Sequence, residues 1–443
     1  MLSCAHRIDI TPATPLWLDG MIRSRQSEGV HDQICAKALA LASSPRPEDC
    51  FILVSLDLCG IRTEYADAIR REVEKRTGIP ADHLILAATH THAAPSVGLI
   101  APRADAYLED LRPRLVELID KVFRGLRPAG GAWGVGREHS ISHYRRLMAD
   151  DGHVVMNWEP YPPKHIIGPL GKPDPEVLAL VVKDAEPPGR PLALMFNHAG
   201  HPNVLSGDNY AISADYPGLA ERLLENELGG LAMFVNGAQG STDIDGLKDR
   251  DDAGLQRVGA ALADAVGKCA ADLQCAPLKV AGASMRYNIP ARKITDAEFR
   301  WAREVMESTG GAVDAVADGV GDDYKARHYL KLREIQDRDI EVEQVALLVG
   351  DCAIVSFPGE LFTEIGLRIK ADSPFPHTMI AGLANGYIGY IPTAKALLEG
   401  GYEPDTRHLD ASAEQIVLDK TMELLNNLNG GKQPRQPRPN HKA

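Results

Sequence analysis

Apolar and polar positions alternate along this chain in two rhythms. Residues 51–56 (FILVSL) and 84–88 (LILAA) are short continuous apolar runs, the pattern of strands buried on both faces. Residues 63–77 carry apolar positions at helical spacing among paired charges, and residues 106–125 form a longer amphipathic stretch of the same kind. Residues 176–184 and 191–198 predict two paired strands around the turn Glu186-Pro187-Pro188-Gly189. A helix is expected over 216–227, a strand over 231–236 ending at Gly237, and a helix over 250–272. Residues 278–290 and 342–359 read as antiparallel strands with a Gly-Asp turn at 350–351. The polar segment 293–340 is mostly helical, and its glycines at 310–311 and 319–321 predict a mobile loop or lid. Strands and helices alternate with no internal repeat and no dividing linker. The expected fold is therefore one α/β domain over residues 1–428, with mixed β-sheets flanked by helices, followed by a disordered Pro-rich tail at 429–443.

Composition narrows the function. The formal net charge of −13 argues against nucleic acid as a partner and against stable docking on an anionic membrane. No apolar run reaches the ~18 residues that span a bilayer, and the N-terminus has no signal-peptide pattern, so a cytoplasmic location is expected. The seven cysteines, at 4, 35, 50, 59, 269, 275 and 352, form no C-x-x-C pair and are expected to be buried free thiols.

The chemistry-bearing residues sit where apolar strands end. HLILAATHTHAAPS (83–96) closes a strand with His90 and His92, which an extended segment would point to one face. FNHAGHPNVLSGDN (196–209) supplies His198 and His201, and an imidazole from a separate strand would extend a histidine metal set. VNGAQGSTDID (235–245) offers Ser241, Thr242, Asp243 and Asp245 on a Gly-rich turn, which is also ordinary turn chemistry. IVSFPGELFTEIG (354–366) places Glu360 at an expected helix start, where the helix dipole alone would favour a carboxylate. GLANGYIGYIPTAKALLEGGYE (382–403) gathers Tyr387, Tyr390 and Tyr402, read as an exposed substrate-facing cluster or as packing residues.

In the same order, IDITP (8–12), EGVHD (28–32), SLDLCG (55–60), ATHTHAAP (88–95), YRR (144–146), HAGHPNVL (198–205), NGAQG (236–240), FPGE (357–360) and the tyrosine segment resemble the neutral/alkaline non-lysosomal ceramidases. The resemblance implies a single catalytic domain that binds one Zn2+ ion and hydrolyses an amide. It implies His90, His201, Glu360 and Tyr390 as zinc ligands, His92 as a partner of the reacting oxygen or nucleophilic water, Arg145 as an active-site arginine, and Tyr402 as a stabiliser of the tetrahedral intermediate. The chain departs from that pattern at the serine that family carries, where Asp243 stands and Ser241 falls two positions early. It also ends soon after the tyrosine segment, where the family continues into an immunoglobulin-like domain.

The expected function is zinc-dependent hydrolysis, by activated water, of an amide in a small soluble N-acyl compound, with Asp243 as a candidate general base. Arg145 would select a polar or anionic group, in a cleft it lines with Tyr390 and Tyr402 and that segment 293–340 covers. Hydrolysis of an ester, lactone or glycosidic derivative, true ceramidase activity, and a non-catalytic zinc-stabilised or sugar-binding module are the alternatives. A small-molecule substrate is the expected partner, with homo-oligomerisation possible.

Overall fold

The computed structural model describes residues 1–430 except 14, 206, 246, 247, 249, 317 and 318. The expected tail lies outside these beyond its first two residues. Eight strands form the larger sheet: β1 (Leu2–Asp9), β2 (Cys35–Ala42), β3 (Cys50–Leu56), β4 (Leu84–Ala88), β5 (Arg127–Arg137), β6 (Glu176–Asp184), β7 (Pro191–His198) and β8 (Leu231–Asn236). Their spatial order is β8-β7-β6-β5-β1-β2-β3-β4. The pairs are antiparallel in the middle and parallel at both margins, β3 with β4 and β7 with β8. A second sheet follows in the order β9 (Val280–Pro290), β10 (Asp339–Val349), β11 (Cys352–Ser356), β12 (His377–Ala381), again ending in a parallel pair.

Strand alternation explains how the sheets stack. On β3, Ile52, Val54 and Leu56 pack in one cluster, while Phe51 and Leu53 pack in another. On β4, Leu84 and Leu86 join the first, and Ile85 and Ala87 the second. A continuous apolar run is required because both faces are covered. The first cluster lies under helices α1 (Thr63–Thr77) and α2 (Asp105–Arg124). The second joins the two sheets face to face through Leu180, Met195 and Met233 on one side and Leu347, Ile354 and Met379 on the other. Helices α3 (Asp215–Leu228) and α4 (Asp252–Ala270) cover the remaining part of the larger sheet. Segment 293–340 contributes α5 (Asp296–Ser308) and α6 (Asp322–Ile335), which pack on each other around Ala302, Ala326 and Leu332. Helices α7 (Thr363–Asp372) and α8 (Ala413–Leu428) cover the outer face of the smaller sheet. The layers run helix, sheet, sheet, helix: a single α/β domain with mixed sheets.

One expected boundary differs. Glu360 does not open a helix: it lies in the two-residue strand Glu360–Leu361, parallel to Tyr390–Ile391, and α7 begins at Thr363. Pro358 and Gly359 delay the helix because the Glu360 amide is spent on the Gly389 carbonyl at 3.0 Å. This short ladder places Glu360 directly beside Tyr390. Of the cysteines, Cys50, Cys59 and Cys352 are buried as expected, whereas Cys4, Cys35, Cys269 and Cys275 are only partly covered; all seven are free.

Candidate metal centre

The three parallel margins send their C-terminal ends toward one place. His90 follows β4, His201 follows β7, Gln239 follows β8, Glu360 follows β11, and Tyr390 follows β12. In α/β sheets ligands are commonly held beyond the carboxyl ends of parallel strands. His90 Nε2 lies 3.1 Å from His201 Nε2, 3.2 Å from His92 Nε2 and 3.4 Å from Glu360 Oε2, and His201 Nε2 is 3.7 Å from the same carboxylate oxygen. All four side chains are buried.

The convergence of His90 and His92 does not come from an extended segment. His90 has φ +73°, in the left-handed region, so the chain turns sharply after β4. A non-glycine residue held there is strained and persists only where its surroundings fix it. Here the His90 amide donates to the Leu58 carbonyl at 2.9 Å, and His90 Nδ1 donates to the Cys59 carbonyl at 2.5 Å. That second bond fixes the tautomer and leaves Nε2 with its lone pair facing the cluster. His92 is pinned by its amide on the Pro202 carbonyl and by Arg23 Nη2 on its own carbonyl. Its ring fits because residue 20 is glycine at φ +91°: a Cβ there would lie 2.4 Å from His92 Cγ.

The electrostatics favour ligation. Burial, with the nearby cationic groups, holds His92 and His201 well below the usual imidazole range, so both rings are neutral, the form that binds metals. Burial works against the Glu360 carboxylate, yet the His90 ring, the Arg145 guanidinium and the Tyr387 hydroxyl hold its pKa below the ordinary value. Tyr387 donates to Glu360 Oε1 at 2.7 Å, and Gln239 Nε2 lies 3.4 Å from Oε2. Two imidazoles and an ionised carboxylate on one point form a donor set that suits zinc. A rival grouping of Cys59, His90 and His92 suits it less, because His90 Nδ1 is committed to a carbonyl and burial raises the Cys59 thiol well above its usual range.

The cluster floors a cavity of about 270 Å³, walled by His90, His92, Glu360, Cys59, Tyr387, Tyr390, Tyr402, Tyr324, Leu99, Ile100 and His408, with Arg62, Thr63 and Glu64 at one side. The tyrosine cluster is not exposed. Tyr390 is 7% accessible, Tyr387 and Tyr402 are half-buried, and the rings of Tyr390 and Tyr402 meet edge to face at 5.6 Å. Burial raises all three phenols, so they stay protonated and can donate.

Several expected site residues take other positions. Arg145 does not line the cavity with an open fork. It is 2% accessible, its Nε donates to Glu403 Oε1 at 2.6 Å and its Nη2 to the Gly240 carbonyl at 2.9 Å. Only Nη1 faces the cluster, 3.5 Å from His201 Nε2. Its guanidinium stacks near Tyr390 and Tyr402, at 5.2 and 5.6 Å. Asp243 is not among the lining residues either: Oδ1 accepts the Ile244 amide at 2.7 Å and Oδ2 faces Arg250 at 3.4 Å. Ser241 is buried against α7, accepting the Thr363 amide at 3.0 Å and donating to Glu364 at 3.1 Å. His198 turns away to Ser142 Oγ at 3.0 Å. Segment 293–340 reaches the cavity through Tyr324 of α6, a residue the sequence pattern does not single out. Glu403, also missed, anchors both Arg145 and Arg146; its position directly after Tyr402 was the available signal.

No protein-family model and no curated protein matches the chain. Among solved structures, the crystal structure of neutral ceramidase from Pseudomonas aeruginosa aligns with TM-score 0.71 at 16% identity, covering 99% of this chain and 76% of that one. A ceramidase described as complexed with C2 aligns with TM-score 0.72 at 15% identity and the same coverage. This chain therefore has the neutral ceramidase fold over nearly its whole length, which is the fold the motif order implied.

Proposed function

We propose that this protein is a zinc-dependent hydrolase acting on the amide of a small, soluble N-acyl compound. The observation that carries this reading is the meeting of His90, His201 and Glu360, their ring nitrogens and carboxylate oxygen 3.1–3.7 Å apart, beside a cavity whose wall includes His90 and Glu360. His90, His201 and Glu360 would hold the ion, with the protonated Tyr390 as a weak fourth ligand. Zinc supplies Lewis acidity, polarising a carbonyl and lowering the pKa of a water toward ~7.

The chain's own residues do the rest. His92, neutral and on the cavity wall, would hydrogen-bond the attacking water and relay its proton to the leaving nitrogen. Tyr402 donates its hydroxyl proton in a hydrogen bond to the developing oxyanion. Arg145 acts as a positioning residue: locked to Glu403, it sets His201 and keeps Tyr390 and Tyr402 in place. Asp243 is set aside as the base because its carboxylate is spent outside the cavity. An ester substrate on the same site is the second reading, favoured by the same oxyanion-directed tyrosines. The test is metal analysis followed by matched kinetics on an N-acyl amide and its ester analogue. About one zinc per chain with turnover of the amide is expected; a metal-free protein with neither activity would refute the proposal.

A further inference from the structure

The inner cavity opens into a second one of about 310 Å³, and the two share five wall residues, Arg62, Tyr324 and His408 among them. The outer wall carries Arg62, Arg327 and Lys331 and no aspartate or glutamate. In a chain of net charge −13 such a lining runs against the trend of the whole molecule. Arg62 at the junction is partly occupied: Nε bonds Glu64 at 2.6 Å and Nη1 the Gly98 carbonyl at 3.0 Å. Arg327 and Lys331 stand one turn apart on α6, and no carboxylate among the described residues pairs with either. Arg327 lies 5.5 Å over the Tyr324 ring, the residue that walls both cavities. The His328 ring lies tilted against that of His408, centroids 5.0 Å apart, and its buried Nε2 has no partner.

We infer that the substrate carries an anionic group, a carboxylate or one of its size, and that this outer cavity receives it on Arg327 and Lys331. The inference rests on reading the inner cavity as the reacting site and names the class of substrate that site takes. The physical reason is that two cations without counter-charges, Arg327 partly buried and Lys331 at the exposed edge, line one cavity and can both reach a single anion bound there. Burial holds His328 neutral, at about 3, so the imidazole adds no charge and offers a hydrogen-bonding nitrogen beside the anion.

The experiment offers the anion on either side of an amide: N-butanoyl-β-alanine against its methyl ester, and glutaric acid monoamide against its methyl ester. Binding to the full-length protein is measured by isothermal titration, and hydrolysis is followed separately. At least one acid should bind about tenfold more tightly than its ester, the value of one charge-assisted contact. The R327Q/K331Q double variant should bring that ratio near one, and K331Q alone, at an exposed position, should reduce it in part. Equal binding of acids and esters, or a preference undiminished in K331Q and in the double variant, would overturn the anion site. Preference without hydrolysis would leave this inference standing and remove the hydrolase reading; hydrolysis without preference would do the reverse.

Discussion

At the scale of single residues, the cluster makes separable demands. His90→Ala and His201→Ala each remove one of the three donors that meet on one point, so each variant should lose most bound zinc, read by elemental analysis, while circular dichroism stays that of the parent. Full metal occupancy in both would show that the ligands lie elsewhere. Ser241 makes a different prediction. Its hydroxyl caps α7 through the Thr363 amide and Glu364, so Ser241→Ala should cost about 1 kcal/mol of stability yet keep most activity and show no acyl-enzyme burst. A covalent adduct on Ser241 would reverse that assignment. Asp19 shows what the sequence could not reveal. Its fully buried carboxylate accepts five successive backbone amides, Val97 to Ala101, and so shapes the loop that brings Leu99 and Ile100 to the cavity. Asp19→Ala should destabilise the protein by roughly 3 kcal/mol, measured by denaturant unfolding, because those donors are left without their acceptor. A lone aspartate in a loop carries no periodic signal of such a role. The histidines, by contrast, were legible because each ends an apolar strand.

At the scale of elements, the apolar runs were read correctly because burial on both faces leaves no ambiguity of side. Strands β6 and β7 and their turn follow the pattern residue for residue, and α1 and α2 fall within a residue of their expected bounds. The failures are local. The two-residue ladder at Glu360 and the left-handed His90 depend on backbone partners far along the chain, which no window of sequence contains. The packing of α4 on the sheet is another such case. A Cβ at Gly134 of β5 would lie 1.9 Å from the Cys269 carbonyl of α4, so helix and strand touch through bare backbone. Gly134→Ala should force them apart and cost about 2 kcal/mol or more, visible as a lowered Tm. Around α6, burial pushes His328 down to about 3 and His408 to about 4, from the ordinary 6.5. A depressed folded-state pKa gives stability that is present above pH 6.5 and lost as pH falls toward 4, since the unfolded chain takes up protons the folded one refuses. The Tm should therefore fall over that window, and His328→Gln should flatten the decline. An unchanged slope in that variant would place the acid sensitivity elsewhere.

At the scale of the whole molecule, fold and substrate separate. The neutral ceramidase fold supplies the strand ends that gather the cluster, but a fold does not fix what enters the cavity above it. A long-chain ceramide needs an apolar groove for its alkyl chains and an apolar rim to draw it from a membrane or micelle. Among the described residues the large exposed hydrophobics are Val30, Val135, Ile167, Leu223, Leu367 and Leu398, and none lines the inner or outer cavity. The approach carries the charged side chains of Arg62, Glu64, Arg327 and Lys331 among the aliphatic Leu99, Ile100, Leu332 and Ile335. No helix among the described residues is long and apolar enough to cross a membrane. An inner cavity of about 270 Å³ is near the lower end of small-molecule sites and suits a short acyl group. We therefore expect kcat/KM for short, water-soluble N-acyl amides to exceed that for long-chain ceramide in detergent by at least about tenfold, a difference of ~1.4 kcal/mol in transition-state binding. The comparison is made on zinc-loaded protein at one ionic strength, because the charged approach is screened by salt. A preference for the long-chain ceramide would mean that the polar approach rearranges around lipid, and that the activity follows the fold after all.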